Sequence, residues 1–145
     1  TKGNGVINRI FHSFGKYTGD LEGRRNGALI SMASGKAVAF AIFNLQARGE
    51  MFVTHNDAVY EGMIVGLSSK SGDLEINVMK GKQLTNMRTQ GTDENVVLTP
   101  VRAMSIAEQL SMLNTDEALE ITPKSLRLRK SMLNPHDRKR KSKAS

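Results

Sequence analysis

No apolar run in this chain is long, and each one ends in a turn signal. Ala28-Leu-Ile-Ser-Met32, Glu50-Met-Phe-Val53, Val59-Tyr-Glu-Gly-Met-Ile-Val-Gly66, Leu74-Glu-Ile-Asn-Val78 and Asn95-Val-Val-Leu-Thr99 all read as strands. Ala118-Leu-Glu-Ile-Thr122 and Ser125-Leu-Arg-Leu-Arg129 alternate as two more, parted by Pro123. Glycine, serine or proline follows most of these runs, as in Ser68-Ser-Lys-Ser-Gly72, a hairpin-type turn. Gly62 and Gly66 mark a bend or bulge within the strongest β segment. Many short strands with frequent turns predict an α+β domain of mixed, mainly antiparallel strands, like a partly open barrel, with two or three helices.

The helices have local signatures. Lys36 to Arg48 places Val38, Ile42 and Leu45 on one stripe with Phe40 and Phe43 beside it, after Ser34 as a candidate N-cap. A strand through Ala37–Phe43 competes. Asn44-Leu-Gln-Ala-Arg48 continues the helical pattern, and Gly49 would stop it as the residue after the cap. Ser105-Ile-Ala-Glu108 is a capping box ahead of a short helix over Ile106–Leu113. Asn134 can cap a last basic helix that begins at Pro135. Gly5 to Phe14 alternates as a strand, and 15–20 reads as a linker. The chain opens on Thr1 rather than Met, so the expectation is a piece of something longer.

With 145 residues and 39% hydrophobic content, one domain with a real core is expected. Cysteine is absent, which excludes a disulfide framework, a thiolate nucleophile and a Cys-based metal site. No apolar run approaches the length of a membrane span. His12, His55 and His136 are isolated, and no phosphate-binding glycine loop ends in Lys-Ser or Lys-Thr. The expectation is therefore a chain that is not an enzyme. His55-Asn-Asp57 reads as turn polarity. Asp116, Glu117 and Glu120 read as the solvated end of a helix-to-strand connection.

The charge points to binding. The net charge is +7, yet residues from Ile121 onward carry +8 and residues 1–120 sum to −1. A polyanion partner is the natural inference, and a solubilising tail is the bland one. A second cationic feature is the long polar segment 80–94. Lys80, Lys82 and Arg88 have no carboxylate between Glu75 and Asp93, and Thr85, Asn86, Thr89 and Gln90 lie among them. Such a mix suits phosphate oxygens and base or sugar edges. Arg24 and Arg25, framed by Gly23 and Gly27, could join it or pair with Asp20 or Glu22. Arg127 and Arg129 share one face of an alternating strand, with Lys130 beside them. Aromatics are 5% and lie in apolar runs, so structured RNA read through its backbone fits better than base stacking.

Several stretches in register resemble one family. They are Gly23-Arg-Arg-Asn-Gly-Ala-Leu-Ile-Ser31, 35–49, Val59–Gly66, Lys80–Arg88 with Gly91-Thr-Asp-Glu94, and the basic Ser125–Lys130 ending. Together they resemble the C-terminal region of BipA/TypA, a family of ribosome-associated translational GTPases. The resemblance implies three parts. Residues 1–19 would be the last strand of a truncated ferredoxin-like domain, as in the fifth domain of elongation factor G, plus a linker. Residues 20–133 would be the family's own C-terminal domain, and 134–145 a basic tail. It implies a GTPase domain upstream that holds GTP and magnesium, and no cofactor in this piece.

It also implies partners: the ribosome, large-subunit rRNA and A-site tRNA, with the 80–94 loop near the peptidyl-transferase region. Roles in large-subunit assembly and stress response follow, in the cytoplasm and without a membrane. The strand within 1–17, lacking sheet partners, would leave an edge open to dimerisation. The alternative function is a protein-interaction domain with a solubilising basic tail.

Overall fold

The computed structural model describes residues 8, 10–17, 24, 26–81, 97–101 and 103–144. Its centre is a four-stranded sheet ordered β3-β5-β1-β6. The strands are β1 (Ala28–Ser31), β3 (Gly49–Met51), β5 (Ile64–Ser68) and β6 (Leu74–Ile76). β5 runs antiparallel to β1 and β3, and β6 runs parallel to β1. β2 (Gly35–Lys36) and β4 (Ala58–Val59) form a small ribbon. β7 (Glu117–Ile121) and β8 (Leu126–Lys130) form a hairpin. Three helices, α1 (Ala39–Gln46), α2 (Ile106–Ser111) and α3 (Pro135–Ala144), complete the described residues. The class is α+β, with open sheets and no closed barrel among these residues.

β1 is buried along its whole length because both sheet faces are covered. Alternation sends Leu29 toward Ile42 of α1, together with Met51, Val65, Ile76 and Val78. It sends Ala28 and Ile30 the other way, with Ile64, against Leu128 of the hairpin. The expected irregularity at Gly66 is a bulge: Leu29 pairs with Gly66 and Ile30 with Ile64, so Val65 is the extra residue. Gly62 makes the expected bend with φ +82°.

The turn 68–72 differs from the hairpin expected. It carries the chain past β1, and β6 pairs with β1 on its far side. Gly27 permits this, since a Cβ there would collide with the Gly72 carbonyl. Gly27 N–H donates to Lys70 O at 3.0 Å, and Ser68 N–H donates to Gly27 O at 2.8 Å. Asp73 then accepts the Ala28 N–H at 2.7 Å.

The first helix is shorter than its pattern suggested. Gly35 and Lys36 pair with β4, and α1 begins after Val38, which gives no side-chain cap. Ser34 instead accepts the Glu61 N–H, and His55 Nδ1 accepts the Ala39 N–H at 3.2 Å. Gly49 opens β3 rather than ending the helix, and a Cβ there would collide with the Leu67 carbonyl. The Ser105–Glu108 capping box is present in both directions, and α2 ends at Ser111. Asn134 Oδ1 accepts the His136 N–H at 2.8 Å, as expected of a cap for α3.

The strand expected over Gly5–Phe14 lies partly outside the described residues. The part inside is irregular, with Ile10, Phe11, Phe14 and Tyr17 strongly exposed. The strand over Asn95–Thr99 is likewise only partly described, and Val97–Thr99 is irregular.

Candidate nucleic-acid interface

β8 sorts its cations by strand parity. Leu126, Leu128 and Lys130 share the inward face, while Arg127 and Arg129 face out. The reading of Lys130 as an outward RNA anchor is therefore corrected: its side chain is 2% exposed. Its ammonium lies 2.8 Å from Asp116 Oδ2 and 3.0 Å from Glu117 Oε1, and it also pairs with Asp73. Burial alone would lower this lysine's pKa, but the three carboxylates outweigh it and hold the group above the usual lysine range. Asp73 mirrors it. Burial would raise its carboxyl, yet the Ala28 N–H and the Lys130 ammonium hold it below the usual carboxylate range.

Arg24 belongs to the same cluster. Its Nη2 donates to Glu117 Oε1 at 2.8 Å, its Nη1 donates to Met112 O at 3.3 Å, and its Nε donates to Asn26 O at 2.6 Å. The arginine side chain is 6% exposed and the Glu117 side chain 0%. Its described partner is a glutamate 93 residues away, and Asp20 and Glu22, the expected partners, lie outside the described residues. Glu117, expected at a solvated chain end, is the buried centre of the cluster. These pairs clasp the chain before β1, the turn before β6 and the β7–β8 hairpin together. Like Lys130, Arg24 cannot offer its guanidinium to an outside phosphate without abandoning Glu117.

Arg127 and Arg129 do face outward, though not unaccompanied. Arg127 lies directly across the hairpin from Glu120, 3.5 Å away. Glu120 also accepts the Tyr60 hydroxyl at 2.7 Å. Burial, then that hydrogen bond and the Glu120 charge, push the Tyr60 phenol up to about 12, with Arg129 and Arg127 pulling the other way. Two guanidiniums against one carboxylate leave this outer face cationic. Arg129 Nη1 donates to Lys130 O at 3.2 Å, which fixes its stem.

Lys80 is exposed where β6 and its following turn end. Its neighbour Met79 packs against Gly35, next to exposed Lys36 on β2. Arg25, Lys82, Thr85, Asn86, Arg88 and Thr89 lie outside the described residues.

The basic segment forms the helix expected from Pro135, α3, and the structure adds how it is held against the fold. Arg138 ties it down, with Nη1 donating to Met132 O at 2.9 Å and to Leu133 O, and Nη2 meeting Glu75 Oε1 at 3.0 Å. Lys139, Arg140 and Lys143 remain exposed on the helix, and only Asp137, 3.9 Å from Arg140, offsets them there.

No group of three or more His, Asp or Glu side chains able to hold a metal ion occurs among the described residues. The carboxylates that do converge surround the Lys130 ammonium, which is their cation. No helix among those residues is long and apolar enough to cross a membrane.

Fold and surface together define a small α+β domain whose inward cations weld its seams and whose outward cations edge its periphery. The chain belongs to the TypA/BipA C-terminal domain family, which matches residues 26–135. Among curated relatives, a protein of Buchnera aphidicola subsp. Schizaphis graminum named "Large ribosomal subunit assembly factor BipA" is 50% identical over 141 residues, covering 97% of this chain and 23% of its own length. The protein of that name from Salmonella typhimurium is 47% identical over 141 residues, with 97% and 23% covered. The one from Shigella flexneri is 46% identical over 145 residues, with 99% and 24% covered. The chain thus spans about a quarter of the length of these relatives.

Proposed function

We propose that this chain is the ribosome-binding C-terminal module of a translational GTPase and acts in large-subunit assembly. The observation that carries the reading is the set of outward-facing cations, exposed at Lys80 and on α3 and half-buried at Arg127 and Arg129, left after the interior has taken Arg24 and Lys130. Lys80, Arg127, Arg129, Lys139, Arg140 and Lys143 sit on folded elements or at their ends. Cations held on a rigid frame suit a phosphate backbone, because little side-chain and backbone order must be bought on contact. The relatives' names, as assembly factors of the large ribosomal subunit, support rRNA as that polyanion.

In this reading Lys80, Lys82 and Arg88 meet phosphates, and Thr85, Asn86 and Thr89 meet sugar or base edges near the A-site tRNA and the peptidyl-transferase region. Arg127, Arg129 and α3 hold the periphery. GTP and magnesium belong to the preceding part of the polypeptide, and the working compartment is the cytoplasm.

The test is co-sedimentation of the full-length protein with large subunits over a salt series. Lys80→Ala, Lys82→Ala and Arg88→Ala together should flatten the log–log salt slope by roughly 2–3, since each phosphate contact contributes about 0.7–0.9. An unchanged slope and affinity would remove the 80–94 segment from the mechanism.

A further inference from the structure

The central sheet carries a further pair of cations at the end away from Lys80. β5 runs antiparallel to β1 and β6 parallel to it, so the chain leaves the sheet at opposite ends, into the turn 68–72 after β5 and toward Lys80 after β6. The five residues of β5 set those ends about 13 Å apart or more. The β3–β5 register continues one pair past Gly49 and Ser68. There Ser69 donates to Arg48 O twice, from its N–H at 2.9 Å and from its Oγ at 3.0 Å. Lys70 comes next. Its N–H donates to Ser68 Oγ at 3.1 Å, and its carbonyl accepts the Gly27 N–H at 3.0 Å. The Arg48 N–H donates to Leu45 O at 2.8 Å. Both backbones are thus pinned, while both side chains are exposed. Among the described residues neither side chain makes an ion pair, and Glu50, on β3 itself, makes none either.

Like charges held side by side across a strand pair are destabilising. For Arg48 the negative end of α1, capped at Ala47, offsets this. No described carboxylate does so for Lys70, and the cost is removed by an anion from outside. Around the pair lie Ser69, Ser71 and Gly72, all exposed, with open space about Gly72. No apolar side chain is among them. A protein partner needs an apolar centre, whereas a phosphate backbone needs cations, hydroxyls and room. We propose that Arg48 and Lys70 form a second phosphate-contact site for ribosomal RNA, at the opposite end of the sheet from Lys80. The proposal rests on the RNA reading above and extends it from one end of the sheet to both. RNA that meets both ends lies along the domain and does not touch the 80–94 segment alone. Pinning the two backbones lowers the order that must be imposed on contact.

The experiment is co-sedimentation of the full-length protein with purified large subunits over a salt series. Arg48→Gln with Lys70→Gln should flatten the log–log slope by about 1.4–1.8, two contacts at 0.7–0.9 each. Arg48→Lys with Lys70→Arg keeps both charges and should keep the wild-type slope. Amide exchange over 28–31 and 64–68 should match the wild type in both variants, which shows the sheet intact. An unchanged slope in the glutamine pair overturns the proposal. So does a slope that the charge-conserving pair flattens as much, because shape and not charge was then lost. Zero-length carbodiimide coupling on the complex should not join Lys70 to a ribosomal protein; such a product assigns the site to an acidic protein surface and also overturns it. The triple variant of Lys80, Lys82 and Arg88, run alongside, separates the two readings. If the triple variant flattens the slope and the glutamine pair does not, this site fails and the RNA reading stands. If neither does, both fail.

Discussion

Replacing Lys130 with methionine keeps an unbranched side chain one atom shorter and removes its charge from a site that is 2% exposed. Three carboxylates lose their shared cation, but not equally. The Asp73 and Asp116 side chains are 36% and 56% exposed, so water can replace much of what they lose. Glu117 is 0% exposed and cannot be rehydrated in place. It keeps Arg24 Nη2 at 2.8 Å and the Asn114 N–H at 3.1 Å. Breaking a buried pair costs about 3–5 kcal/mol. With Arg24 still in place, the lower end applies, about 3 kcal/mol. For a chain of 145 residues that is a fall in Tm of roughly 10 °C.

Urea and thermal unfolding would read this directly, with an unchanged urea slope. Glu117→Gln in the same background should show a coupling of at least about 1 kcal/mol. Below its lowered Tm, the Lys130→Met protein should keep the wild-type salt slope for ribosome binding, because Lys130 meets no phosphate. A stability loss under about 1 kcal/mol, or a flattened salt slope, would refute the interior role.

The clasp also sets a pH window. Asp73 contributes stability that is present above its unfolded value near 3.9 and is lost as pH falls through its lower folded value. Lys130 contributes stability that is present below about 10.4 and is lost as pH rises through its higher folded value. Tyr60 keeps its proton to about 12 when folded and to about 10 when unfolded, so it adds a further loss between those values. A pH series of unfolding midpoints should show a plateau that falls on both sides, with a shallower acid limb in Lys130→Met. Gly62→Ala should cost about 1–3 kcal/mol or more by thermal unfolding, since φ is +82° and the new Cβ would lie 2.7 Å from Leu133 Cα. Gly72→Ala, at φ +95° with open space around it, should cost only the backbone share, about 1–2 kcal/mol. Arg138→Gln should free α3, seen as faster amide exchange over 135–144, and weaken the proposed ribosome binding although Arg138 itself is mostly buried.

Local chemistry was legible wherever both halves of an interaction lie within a few residues. The Ser105–Glu108 box, the Asn134 cap and the Gly62 bend are all of this kind. Even the inward turn of Lys130 was legible, because position 130 has the parity of Leu126 and Leu128. Grouping it with Arg127 and Arg129 followed charge and overlooked period. Gly49 and Ser34 misled for the opposite reason. Each suits a helix end by local preference, and each is claimed by a distant strand or turn, Leu67 for one and Glu61 for the other.

By itself the sequence determined an α+β class built of short strands, the helix caps, the family, and an excess of positive charge toward the C-terminus. It could not say which cations remain available to a partner. Arg24 meets Glu117 across 93 positions, and Asp73 meets Lys130 only because a turn passes over Gly27. An ionic contact forms where desolvation and geometry allow it, and both are properties of the assembled core. Tertiary structure alone decided that these charges close the fold, while Arg127, Arg129 and the exposed cations of α3 face outward.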